Sequence, residues 1–130
     1  MQVFKEHFIP NLDPLMAASV FKRSVHNIEM ALSSYCNRRC PYCPDSIVDR
    51  ISKKYYMSDE LFINIMTQLR SINYSGVLAF HRYNEPLADK AYALARMSSA
   101  RTFLPNAVFR IFTNGDYLTA DYIRELVAIG

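Results

Sequence analysis

The sequence predicts an α/β protein built on a parallel βαβαβα unit. Three observations carry that prediction. Short apolar segments at residues 27–33, 76–80 and 108–112 are each followed, at some distance, by a segment of helical periodicity. Strands alternating with helices of this length form parallel sheets joined by right-handed crossovers. The unusual polar residues all fall in the three loops after the strands, at 34–56, 81–87 and 113–118. Parallel α/β sheets build their sites from those loops. The chain has 130 residues, 51% of them hydrophobic, which suits a single globular domain. A closed (β/α)8 barrel needs about 250 residues, so one does not fit.

The elements follow in order. Residues 1–25 read as an N-terminal extension preceding a core at 26–130, with a helix over 13–22 that has Pro14 in its first turn and Leu15, Val20 and Phe21 on its apolar side. Residues 27–33 alternate in part between apolar and polar, as a strand does. Ser58 is a helix cap with Asp59 and Glu60 in the first turn, where the helix dipole favours negative charge. Leu61, Ile65, Met66 and Leu69 then recur at helical spacing, with Arg70 near the end. Residues 76–80 form a short apolar strand, and 88–100 are rich in good helix formers, with Ala91, Leu94, Ala95 and Met97 available to pack. Residues 108–112 are the third strand. Thr119 caps a last helix with Tyr122, Ile123, Leu126 and Val127 on its apolar side, and Gly130 stands where a terminating glycine belongs. Three parallel strands leave two unpaired edges. The chain also stops at a helix end, so it reads as part of something larger that lacks the rest of its sheet.

The formal charge is only +3, and the basic residues form short pairs, Lys22-Arg23, Arg38-Arg39 and Lys53-Lys54. Nucleic-acid modules gather Lys and Arg on one face, so a nucleic-acid partner is not expected. No apolar run approaches the roughly 18 residues of a membrane span, and the first residues lack the apolar region of a signal peptide. A cytoplasmic protein with no membrane partner is expected.

The three cysteines, Cys36, Cys40 and Cys43, fall within eight residues. An odd, clustered set in an unsecreted chain is not a disulfide framework and calls for a metal. A closed zinc site wants a fourth ligand, for which His7, His26 and His81 are available, none at the usual short spacing. A zinc-binding α/β interaction module without catalysis is therefore one reading. A four-iron cluster held by three cysteines would instead leave one iron without a protein ligand, and an open position is what catalytic sites keep.

The run Cys36-Asn37-Arg38-Arg39-Cys40-Pro41-Tyr42-Cys43, with an aromatic before the last cysteine, resembles the radical S-adenosylmethionine (radical SAM) enzymes. The resemblance covers about residues 28–130. It implies that Cys36, Cys40 and Cys43 ligate a [4Fe-4S] cluster whose open iron chelates S-adenosylmethionine. Reductive cleavage then gives a 5′-deoxyadenosyl radical that abstracts hydrogen from a substrate the sequence does not name. It also implies a flavodoxin- or ferredoxin-type electron donor. Tyr42 takes the aromatic slot beside the adenine. Glu85 and Pro86 match the end of the family's Gly-Gly-Glu-Pro motif, which contacts the methionine amino group largely through main-chain atoms. Tyr83 and Asn84 replace the two glycines, and Asn84 is expected to hold the left-handed turn. Thr113, Asn114 and Gly115 match a Thr-Asn-Gly run that lines the cofactor pocket, with Asn114 supplying a polar contact and Gly115 the turn. The family core is a partial (β/α)6 TIM-type barrel, of which these residues would be the first half. Arg38 and Arg39 match no fixed position of the family. His81 and Arg82, at the end of the second strand, are open between structure and substrate contact.

Overall fold

The computed structural model describes residues 13–44 and 46–130. The candidate ligand His7, the first twelve residues of the extension and the side chain of Leu15 lie outside what it describes. The described elements run α1 (Pro14–Ser24), β1 (Asn27–Glu29), α2 (Asp59–Ser71), β2 (Val77–Ala79), α3 (Lys90–Phe103), β3 (Val108–Arg110) and α4 (Ala120–Ile129). The three strands form one parallel sheet in the order β1-β2-β3. Ile28, Leu78 and Phe109 lie level across it. The α/β class and the alternation of strand and helix are as expected.

Each strand is shorter than its apolar run. The ladder extends by single bonds beyond the strand ends, from Met30 N–H to the Ala79 carbonyl (2.8 Å) and from Phe80 N–H to that of Arg110 (3.0 Å). Past these the chains diverge into the loops, so the ends of the apolar runs serve packing rather than pairing. Met30, Leu32, Leu78 and Phe80 are buried and, with Phe62, Met66, Met97 and Tyr122 from the helices, make one core. Ala79 is buried too, so the middle strand is covered on both faces. Val108 and Phe112, alternating on β3 and just beyond it, are 56% and 57% exposed. Parallel sheets are usually covered on both faces. Here part of the face away from the helices stays open.

Caps set the helix boundaries. Ser58 and Thr119 cap as expected, accepting from the N–H groups of Leu61 (3.2 Å) and Tyr122 (3.2 Å). Asp89 caps α3 by accepting from Tyr92 N–H (3.2 Å), so that helix starts two residues later than its composition suggests. It also runs three residues longer, to Phe103. Gly130 closes α4 with a φ of +96°. The end of α2 closes differently, without a glycine. Tyr74 N–H reaches the Leu69 carbonyl (3.0 Å) and Asn73 N–H that of Arg70 (2.9 Å), with Asn73 at φ +50°. That is a Schellman ending with asparagine in the left-handed position. Among the described residues, Asn73 alone of the non-glycines has positive φ, so Asn84 does not hold a left-handed turn.

Gly76 fits where no side chain would. A Cβ there would strike the ring of Tyr74 and stand 2.8 Å from the His26 carbonyl oxygen. Gly76→Ala is expected to destabilise the chain by about 1–3 kcal/mol through this overpacking, measurable by urea unfolding. Among the described residues, no helix is long and apolar enough to cross a membrane.

Candidate functional site

The three loops that follow the strands meet at one end of the sheet. The cysteine loop is pinned at its base by an antiparallel bridge between Ser33 and Tyr56. Ser34 N–H donates to the Tyr55 carbonyl (2.9 Å), Met57 N–H to that of Leu32 (2.9 Å), and Tyr55 N–H to the Ser34 hydroxyl (3.0 Å). The Tyr92 hydroxyl, from α3, donates to the Met57 carbonyl (3.0 Å). About twenty residues of loop therefore leave and return at one fixed place.

Glu85 lies where the loops converge. It is 2% exposed, and it is the buried charged side chain of the described core. Its carboxylate accepts from the Thr113 hydroxyl (2.6 Å), Asn114 N–H (2.8 Å) and Leu87 N–H (3.0 Å). Its own N–H donates to the Tyr35 carbonyl (2.8 Å), next to Cys36. One residue thus ties the second loop to both of the others. A buried carboxylate is tolerable only when its oxygens are paired in this way. The Glu85 carboxylate is taken up by these hydrogen bonds rather than presented free. Pro86 beside it is buried.

A second set of contacts joins the cysteine loop to the loop after β3. Asp116 accepts from the Asn37 amide (2.7 Å) and from Arg38 through Nε (2.8 Å) and Nη2. The Asn114 side-chain NH2 donates to Asn37 Oδ1 (2.8 Å). Asp116 N–H donates to the Asn114 side chain (3.0 Å), and Gly115 makes the turn between them at φ +83°. The hydroxyls of Tyr35 and Tyr117 lie 3.4 Å apart. The Arg38 guanidinium, foremost among its neighbours, holds the Asp116 carboxyl below its ordinary value, and Arg38 is raised in return. The clamp should therefore survive acidification from pH 7 through the ordinary carboxylate range and open only as Asp116 itself protonates below it. NMR titration of the Asp116 side-chain carboxyl checks this.

The three cysteines are free and half-buried on this loop. Cys43 N–H donates to the Cys40 carbonyl (2.9 Å), a tight turn that brings the last two along one side. Tyr42 is 87% exposed. Its phenol is pushed above its ordinary value by hydrogen bonding to Cys40. Among the described residues, no three of the His, Cys, Asp and Glu side chains stand close enough together to hold a metal ion. Among the described residues, the donor set is three thiols on one loop with no carboxylate or histidine gathered with them. That composition fits a three-cysteine cluster better than a closed four-ligand zinc site.

The remaining sequence candidates are mostly engaged elsewhere. Arg82 pairs with Glu29 and lies over the Tyr83 ring at 5.0 Å. Arg39 stands 3.8 Å from Asp49. The His81 ring packs tilted against Phe112, centroids 4.4 Å apart, with Nδ1 enclosed and without a hydrogen-bond partner among the described residues. Asn84 accepts from Arg82 N–H (3.1 Å). Sequence reasoning missed Asn37, Asp116, Tyr35 and Tyr117. A lone acid after Thr-Asn-Gly, facing a loop rich in arginine, was the available signal for Asp116.

The fold is similar to that of BtrN, solved in complex with AdoMet and in an open conformation. The crystal structure of BtrN in complex with AdoMet and 2-DOIA superposes with a TM-score of 0.72 at 33% identity, over 81% of this chain and 42% of that one. Selenomethionine BtrN in an open conformation gives 0.71 at 34% identity, over 81% and 46%. A curated relative is the S-adenosyl-L-methionine-dependent 2-deoxy-scyllo-inosamine dehydrogenase of Niallia circulans, 37% identical over 103 residues. Those residues are 79% of this chain and 40% of the relative, so the chain spans about two-fifths of its length. No family model matches the chain. The expectation of a radical SAM superfamily enzyme, present as the N-terminal half of its core, is corrected by these findings. The likeness is partial, and it lies with an individual S-adenosylmethionine-dependent dehydrogenase rather than with a family model.

Proposed function

We propose that this chain carries the [4Fe-4S] cluster and the S-adenosylmethionine contacts of a dehydrogenase that acts on a hydroxyl-bearing substrate, such as an aminocyclitol. The single observation behind this reading is the meeting of the cysteine loop, Glu85-Pro86 and Thr113-Asn114 at one end of the sheet, tied together by Glu85. The likeness to an S-adenosylmethionine-dependent dehydrogenase supports the chemistry.

Cys36, Cys40 and Cys43 would hold the cluster, which supplies the electron that cleaves S-adenosylmethionine to a radical able to abstract hydrogen. Main-chain groups around Asn84, Glu85 and Pro86 would receive the methionine end of the cofactor. Thr113 and Asn114 would line its pocket, and Tyr42 would lie beside the adenine. The three βα units would be consecutive units of a partial (β/α)6 barrel, with the open face around Val108 and Phe112 turned to the remaining strands. A flavodoxin- or ferredoxin-type donor would supply the electron, in the cytoplasm, where thiols stay reduced.

Anaerobic reconstitution with iron and sulfide tests this. A brown protein with about four irons and four labile sulfides per chain is expected, with release of 5′-deoxyadenosine under dithionite once the rest of the barrel is supplied. A colourless protein that takes up zinc and no sulfide would overturn the reading. Cluster without 5′-deoxyadenosine would mark a non-catalytic relative.

A further inference from the structure

We propose that Asp116 is a positioning residue that latches the stretch between Cys36 and Cys40 into a single path. This inference rests on the cluster reading above. Two of the three residues between Cys36 and Cys40 are held from outside the loop, Asn37 and Arg38, and both are held by the Asp116 carboxylate. Asn37 is gripped a second time, by the Asn114 amide at 2.8 Å. A planar guanidinium bound at two of its nitrogens fixes orientation as well as distance. Asp116 is itself presented rigidly, because its N–H is bonded to the Asn114 side chain and Gly115 makes the turn before it.

The same stretch of chain carries Thr113 and Asn114, which are bonded to Glu85. The latch therefore connects the loop that would hold the cluster to the loops that would hold the cofactor. Arg38 and Asp116 side chains are 47% and 36% exposed, and exposed pairs add little to global stability. The role left for the latch is to restrict the cysteine loop among its possible shapes. Cys43 lies outside the latched span and is ordered by its own turn with Cys40.

The test uses the 130-residue chain and the variants Asp116→Ala, Asp116→Glu, Arg38→Ala and the Asp116→Ala/Arg38→Ala double. Thiol alkylation of the metal-free chain by N-ethylmaleimide, followed cysteine by cysteine by mass spectrometry, reads the latch without any cluster. Asp116→Ala is expected to speed alkylation of Cys36 and Cys40 severalfold and that of Cys43 less, with the melting temperature nearly unchanged. After anaerobic reconstitution, loss of iron to a chelator is expected to be about tenfold faster, the scale of losing a partner that orients metal ligands. Asp116→Glu should restore most of both, and the double variant should be no worse than the worse single one. Unchanged alkylation and unchanged iron loss in Asp116→Ala would overturn the latch while leaving the cluster reading intact. Faster alkylation in Asp116→Ala, together with a wild-type chain that takes up no cluster, would overturn the cluster reading and leave the latch standing as a device of the apoprotein.

Discussion

Glu85→Ala is expected to cost roughly 3–5 kcal/mol of folding stability, because three hydrogen-bond donors lose their acceptor at once. For a chain of this size that lowers the thermal midpoint by roughly 10–20 °C. The reason is what the carboxylate leaves behind. Thr113 hydroxyl, Asn114 N–H and Leu87 N–H all lose their acceptor in a site where Glu85 is 2% exposed. Each buried donor left unpaired costs about 1–3 kcal/mol. Three loops are joined at this point, so local loosening spreads to all of them. Glu85→Gln separates the charge from the shape. Its carbonyl oxygen can still serve Thr113 and Leu87, whereas its NH2 would face the Asn114 N–H, donor against donor. A smaller loss, about 1–3 kcal/mol, is expected. Urea unfolding of the three proteins checks the order. A wild-type midpoint for Glu85→Ala would show that the loops are not held by this residue.

The same residue shows which parts of the protein were legible in the sequence. Apolar periodicity placed the helices and strands because burial acts on every residue of an element at once. Ser58, Thr119 and Gly130 gave their boundaries because capping is local chemistry. The strand ends were overestimated because residues 30–32 and 111–112 are apolar for packing or for the open face, not for the ladder. The left-handed asparagine was placed at Asn84 and occurs at Asn73, because a Schellman ending depends on where a helix stops. That stop depends on tertiary packing. In the site, Cys36, Cys40, Cys43, Glu85, Thr113 and Asn114 stood out by residue type and order. How Glu85 works did not. Its bonds cross 28 and 29 residues of sequence, and the Asp116 clamp crosses 78 and 79. Pairings over such separations leave no local pattern, since neither partner restricts the residues beside it.

Cys40→Ala is expected to abolish cluster retention while leaving the fold in place. Iron should fall from about four per chain towards zero after desalting, since two thiolates cannot hold a four-iron cluster that normally takes four protein ligands. Far-UV circular dichroism should not change. Cys40 is half-buried in the loop and lies outside the buried core formed by residues such as Leu32, Leu78 and Phe80. The bonds that pin the loop, from Ser34, Tyr55 and Met57 and from Asn37 and Arg38, do not use its thiol. The variant therefore separates the two demands placed on this loop. Its path is set by main-chain pairing at the base and by Asp116 near its start, and the chemistry proposed for it by three sulfurs carried along that path. Loss of iron with an unchanged fold, matched by the same result for Cys36→Ala and Cys43→Ala, would assign the metal to these three residues together. Full iron retention in Cys40→Ala would mean that the metal is held by other groups, and the proposed dehydrogenase chemistry would lose its electron source.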